Sequence, residues 1–251
     1  MQSLQSFYKM TGRALVATLV LVGGAVAANA QFTTINPGGV VSPINNVAGG
    51  SGFNAAGLPL GDVFVSNFAS AFSGSTGTQT IAGNLISAVF RTTTNTLDFA
   101  YQVQVNAGSS TGPVTTYSLT SFLSGSTPVG TALAESGQDI SGTGVFNAAV
   151  TGYDNASRSG TGSGISPNTS GSGIGPGGSG GNNSFVFLVR TNATTFINNG
   201  SAGILGNGVS ANTANTMLAP ASIQAPEAGT LTMIGLGLVG GLGMVIRRRK
   251  N

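Results

Sequence analysis

Nine consecutive residues, Leu97-Asp98-Phe99-Ala100-Tyr101-Gln102-Val103-Gln104-Val105, put Leu, Phe, Tyr, Val and Val on one parity and Asp, Ala, Gln and Gln on the other. A period of two sustained that long belongs to a β-strand, whose successive side chains point to opposite faces, and is incompatible with the 3.6-residue period of a helix. The alternation predicts one face on a core and one wet face, with Asp98 a solvated side chain. A second run, Phe185 to Val189, is apolar at every position, rich in β-branched and aromatic residues and bounded by polar clusters. That is the pattern of a strand covered on both faces.

Further strands are expected over Thr80 to Arg91, Val114 to Phe122 and Gly144 to Thr151. Asp62 to Phe72 reads two ways. Phe64, Phe68 and Phe72 recur every four residues, as on one face of a helix capped by Asp62, whereas Val63 and Val65 favour a strand. The expectation is a strand that turns helical after Val65. Short strands separated by turn signals define a mainly β chain with an antiparallel β-sandwich-like body.

Glycine interrupts the pattern in two places, Gly49 to Gly61 and Ser159 to Asn183, the latter holding ten glycines in twenty-five residues and no aromatic side chain. A segment so poor in apolar surface has little burial with which to offset its ordering entropy, so 159–183 is expected to be a mobile loop within one domain. Its removal should then leave the body folded. The match of Gly173-Ile-Gly175-Pro-Gly177-Gly178 to a dinucleotide fingerprint is chance in low-complexity sequence. There is no cysteine, so packing rather than disulfides must hold the fold.

The two ends have a different grammar. Lys9 and Arg13 precede an apolar run from Ala14 to Val26, and Ala28-Asn29-Ala30 is the small-residue pattern behind which a signal peptidase cuts. Residues 1–30 therefore read as a cleaved signal helix, with the mature chain starting at Gln31. At the other end, Pro226-Glu227-Ala228 is followed by an apolar run from Leu231 to Ile246 and then Arg247, Arg248, Arg249 and Lys250. Sixteen residues make a helix of roughly 24 Å, short of a ~30 Å hydrocarbon core unless the basic side chains snorkel. Basic residues beside such a segment keep it cytoplasmic, which places residues 31–225 outside.

This tail, residues 226–251, resembles the PEP-CTERM sorting signal of bacterial surface proteins: a Pro-Glu-Pro triplet, a Gly- and Leu-rich membrane segment and a terminal Arg cluster. Ala228 stands where that family has its second proline. The resemblance implies recognition by an exosortase, a membrane peptidase that cuts near the triplet and passes the protein to the envelope or extracellular polymer. The other reading of the same residues is a plain C-terminal membrane anchor. Gly235-Leu-Gly237-Leu-Val-Gly240 repeats the dinucleotide spacing, but too little chain follows for the strand and acidic residue such a site needs.

Charge narrows the chemistry. The net charge of +3 comes from the ends; residues 31–225 carry Arg91, Arg158 and Arg190 against Asp62, Asp98, Glu135, Asp139 and Asp154, a balance of −2. Such a body has no basic stripe for nucleic acid. With no His or Cys anywhere, Ser-His-Asp and Cys-His sites and the usual zinc and haem ligand sets are excluded. Carboxylates remain. A glycoside hydrolase would need two of the five acids converging within about 10 Å across a pocket. Calcium is a better-motivated use of the acids, through Glu135, Asp139 and Asp154 in or next to Gly-, Ser- and Asn-rich turns, but no calcium-loop motif is present and acids exposed to solvent in turns are the simpler reading.

The expectation is an exported, non-enzymatic surface or extracellular-matrix protein without a cofactor. Its partners would be a signal peptidase, an exosortase-like peptidase, the membrane through the C-terminal helix and extracellular polysaccharide.

Overall fold

The computed structural model describes residues 34–42, 46–47, 61–122, 130–134, 145–147, 151–176, 182–214 and 216–221. In chain order the strands are β1 (Val40–Val41), β2 (Asn46–Val47), β3 (Val63–Thr76), β4 (Gln79–Arg91), β5 (Leu97–Val105), β6 (Thr116–Leu119) and β7 (Gly130–Ala134). They continue with β8 (Tyr153–Arg158), β9 (Ile165–Thr169), β10 (Phe187–Arg190), β11 (Phe196–Gly200), β12 (Ala202–Gly206), β13 (Val209–Asn212) and β14 (Met217–Pro220). No helix occurs among the described residues.

Two six-stranded sheets form, in the orders β1-β8-β9-β6-β12-β13 and β2-β7-β10-β5-β4-β3, with β11 and β14 as a separate two-stranded ribbon. Every pairing is antiparallel except that of β2 with β7. The sheets share a core: Phe99, Tyr101, Phe187 and Val189 of the second pack with Tyr117, Leu119, Tyr153, Ile165 and Ile204 of the first. Rings meet edge to face, Tyr153 against Phe187 at 5.6 Å and against Tyr117 at 5.9 Å. The Tyr153 hydroxyl, 2.7 Å from that of Tyr117, donates to the Phe185 carbonyl at 3.0 Å and so ties the sheets together inside the core. The ribbon closes one side, Tyr101 Oη donating to the Leu218 carbonyl at 2.8 Å.

Phe185 to Val189 is covered on both faces, as its uninterrupted apolar run predicts. The wet face expected of Leu97 to Val105 is not wet. Asp98, Ala100 and Gln102 are fully buried, because the outer face of this sheet carries a second apolar cluster of Ile86, Ala88, Phe90, Ala100, Phe146, Val186 and Leu188. Gln102 is there because it is satisfied: its Nε2 donates to the carbonyls of Asn147 (2.6 Å) and Ser184 (3.0 Å), and its Oε1 accepts from Asn147 N at 2.9 Å. The alternation therefore marks hydrogen-bonding positions rather than solvent.

Asp62 to Phe72 has no helical turn; β3 is a strand throughout. The four-residue spacing of its phenylalanines has another cause. The register shifts between Phe64 and Ser66, so Val65 is an extra residue and the facing of side chains inverts there. Phe64 thus lies on the outer face against Phe90, while Phe72 joins the inner core. The expected strand Val114 to Phe122 contracts to β6, ended by Ser121 at φ 71°. Residues 145–147 of the expected Gly144 to Thr151 strand are not in a strand, Thr151 forms only an isolated bridge to Ser184, and 144 and 148–150 lie outside the described residues.

The expected loop 159–183 is corrected most. It contains β9, an interior strand of the first sheet, with Ile165 fully buried and Ile174 bridged to Val114. Two of its glycines serve close approach: at Gly173 and Gly175, with φ of +92° and +103°, an added Cβ would come within 2.6 Å of the Val114 carbonyl and the Val105 side chain. Arg158, itself buried, fixes the turn into β9 by donating Nε to the Gly162 carbonyl at 2.9 Å and Nη1 to that of Ile35 at 3.2 Å. Deleting residues 160–181 is accordingly predicted to abolish the cooperative thermal transition followed by circular dichroism. A sharp transition near that of the intact chain would show β9 to be dispensable.

Candidate functional site

Two places in this body combine unusual chemistry. The first is a buried acid pair. Asp62 immediately precedes β3, Asp98 lies in β5 and Arg190 ends β10 directly opposite Asp98 in register. Arg190 forks onto Asp98, with Nε 3.2 and 3.0 Å from Oδ1 and Oδ2 and Nη2 2.7 Å from Oδ2. The same Nη2 stands 3.8 Å from Asp62 Oδ2, a buried oxygen without a hydrogen-bond partner. Asp98, expected to be solvated, is thus enclosed and ion-paired.

Burial, then the charge and hydrogen bond of Asp98, push the Asp62 carboxyl up to about 7 against the opposing pull of Arg190. Burial also raises Asp98, opposed by its hydrogen bonds and ion pair with Arg190. One cation between two buried carboxyls balances one negative charge, so below about pH 7 the pair holds a proton, on Asp62 because Arg190 forks onto Asp98. The arrangement links the start of β3 to β5 and β10.

The second place is a groove of about 430 Å³ lined by Ser66, Asn67, Phe68, Phe196, Ile197, Asn198, Asn199 and Leu218. It is built by a bulge. The pairing of β11 with β14 jumps from Ile197–Ala219 to Gly200–Met217, so Asn198 and Asn199 together oppose the single residue Leu218 and are exposed. Gly200 permits this crossing, since a Cβ there would meet Ala219 at 2.8 Å. Across the groove stand Asn67 and Phe68, the latter 39% exposed. The lining offers two phenylalanines, the exposed amides of Asn198 and Asn199, and no charge.

Neither carboxyl of the acid pair lines this groove. Asp154 is exposed in β8, apart from the pair, and Glu135 and Asp139 lie outside the described residues. Among the described residues no three acids gather as a cation site, so the calcium expectation gains no support. The signal-cleavage residues Ala28, Ala30 and Gln31, the motif Pro226, Glu227 and Ala228, and the basic stop Arg247, Arg248, Arg249 and Lys250 all lie outside the described residues too. None of the described elements is a helix long and apolar enough to cross a membrane. The groove residues escaped sequence reasoning because they are ordinary types from distant segments; the one local sign was Asn198-Asn199 directly after the apolar Phe196-Ile197.

No family model, no curated protein and no solved structure matches this chain.

The acid pair has a pH signature. Because the native state keeps on Asp62, up to about pH 7, a proton that the unfolded chain releases near pH 4, the stability this pair contributes is greatest in acid. It is expected to fall as pH rises from about 4 to about 7, and then to level off. Asp62→Asn, which supplies the amide hydrogen in place of the proton, should flatten that part of the profile. Urea midpoints across this range test it, and a midpoint that climbs with pH in the wild type contradicts the shared proton.

Proposed function

We propose that the chain is an exported bacterial surface or extracellular-matrix protein, sorted through Pro226, Glu227 and Ala228 by an exosortase, whose β body contacts neutral polysaccharide. The observation that carries the contact is the uncharged groove between Phe68 and Phe196. Sugar rings present apolar C–H faces to aromatic rings and hydroxyls to amides, and Asn198 and Asn199 supply both donors and acceptors. A neutral polymer has no charge to balance, which suits a body with eight charged residues in 195. The sandwich-like body would then act by binding and by bulk.

A glycoside hydrolase is less well supported. Asp62 and Asp98 do converge, but both are buried, Asp98 is occupied by Arg190, and neither reaches the groove. A simple membrane anchor remains the rival for the tail, and the two differ in processing.

Glu227→Gln leaves Leu231 to Ile246 and the basic stop untouched, so insertion should persist while cleavage fails. In the native host the variant is expected as a longer, membrane-retained form beside a shorter, released or polymer-bound wild type. Equal masses with both in the membrane would leave the plain anchor standing. For the groove, Phe68→Ala with Asn199→Ala should weaken co-sedimentation with the host's neutral polysaccharide about tenfold, equivalent to about 1.4 kcal/mol. Unchanged sedimentation would remove the groove from the proposal.

A further inference from the structure

Sheet edges attract other strands, and among the described residues one terminal strand of the two large sheets stands apart. The terminal strands of the two large sheets are β1, β13, β2 and β3, of two, four, two and fourteen residues. The first three are short. β3 pairs with β4 on one side, and among the described residues no strand or backbone hydrogen bond engages its other side. Proteins usually guard such an edge with lysine, proline or a bulge, and Val63–Thr76 contains no charge and no proline. Its one bulge, at Val65, leaves Ser66 to Thr76 as eleven residues in unbroken register, a ladder of roughly 37 Å.

The side chains agree. Asn67, Ala69, Ala71, Ser73 and Ser75 lie on the outer face, exposed, small and flat. Of the five large apolar side chains left exposed in the described structure, three belong to β3: Val63 at 66%, Val65 at 37% and Phe68 at 39%.

We propose that β3 is where two copies of this chain join, edge to edge and antiparallel, merging their second sheets into one of twelve strands. A second copy is the fitting occupant for two reasons. An edge with no charge cannot repel its own image and offers nothing to select a charged foreign strand. And antiparallel pairing is self-complementary: a two-fold axis perpendicular to the sheet must pass through a residue position, because directly opposed side chains share a face. For the regular stretch Ser66 to Thr76 that midpoint is Ala71.

Since the chain has no cysteine, a single introduced one is an unambiguous reporter. In the full-length protein, in the cells that make it, Asn67→Cys, Ala69→Cys, Ala71→Cys, Ser73→Cys and Ser75→Cys would each be exposed to mild oxidant. Leu205→Cys, also exposed but on the interior strand β12, is the control. Opposed residues at a two-fold lie 4.5–5.5 Å apart at Cα, inside disulfide range, whereas neighbours two positions away do not, so dimer should peak at Ala71→Cys, roughly tenfold above Leu205→Cys. Adding Ala69→Lys and Ser73→Lys should bring that peak down to the control. Cross-linking equal at all positions, none anywhere, or linkage to a chain of another mass would each overturn the proposal.

Discussion

The fold depends on β5 and β10 being buried on both faces. Without disulfides, and with no helix among the described residues to cover a sheet, stability has to come from packing, and these two strands face a core on each side. Such burial leaves no place for an unsatisfied polar group. Gln102 and Ser184 answer by bonding to backbone, Ser184 Oγ accepting from Val103 N at 2.9 Å. Asp98 is answered by Arg190 from the neighbouring strand, and that pairing in turn draws Asp62 into the same enclosure. A balanced charge in the interior is thus a consequence of covering the outer face, and the retained proton a consequence of supplying one arginine for two acids.

What was legible in the sequence was the part that periodicity encodes directly. Phe185 to Val189 could only be doubly buried, and the parity of Leu97 to Val105 gave the strand and its inner face. Parity does not say whether the other face meets water or protein, because Asp, Ala and Gln serve in both. The cluster around Phe90, Phe146 and Leu188 that covers it assembles residues from four separate segments. Phe64, Phe68 and Phe72 misled for a related reason: one bulged residue converts a spacing of four into two different faces, and Val65 bears no local mark of being that residue.

The glycine-rich segment failed for an energetic reason. Counting apolar residues between 159 and 183 finds too few to fold alone, which is true, but β9 does not fold alone. It lies between β8 and β6 and contributes a ladder on each side plus Ile165. Thr169 Oγ1 donates to the Thr115 carbonyl at 2.7 Å, and Asn168 Nδ2 to Asn155 Oδ1 at 2.6 Å, so its hydroxyl and amide side chains add cross-strand bonds. Glycine then supplies the backbone conformations that bring Ile174 beside Val114. Composition measures what a segment can bury by itself, and a central strand is held by its neighbours.

The scarcity of charge bears on β3 in a particular way. Length alone could be explained by the inner face: Phe72 fills the core, Ser70 Oγ accepts from Thr216 Oγ1 at 3.0 Å, and Gly74 lets the strand press on Ser210 of β13, closing the side of the body. Those demands fix residues 70, 72 and 74. They place no demand on 69, 71 and 73, whose side chains point the other way into open space and could each be lysine without disturbing a core contact. A fold that needed only closure would gain protection from such a change at no cost to packing. The chain keeps Ala69, Ala71 and Ser73 there, in a body with eight charged residues in 195, and an edge that is neutral, flat and unpaired among the described residues permits the pairing between copies proposed above.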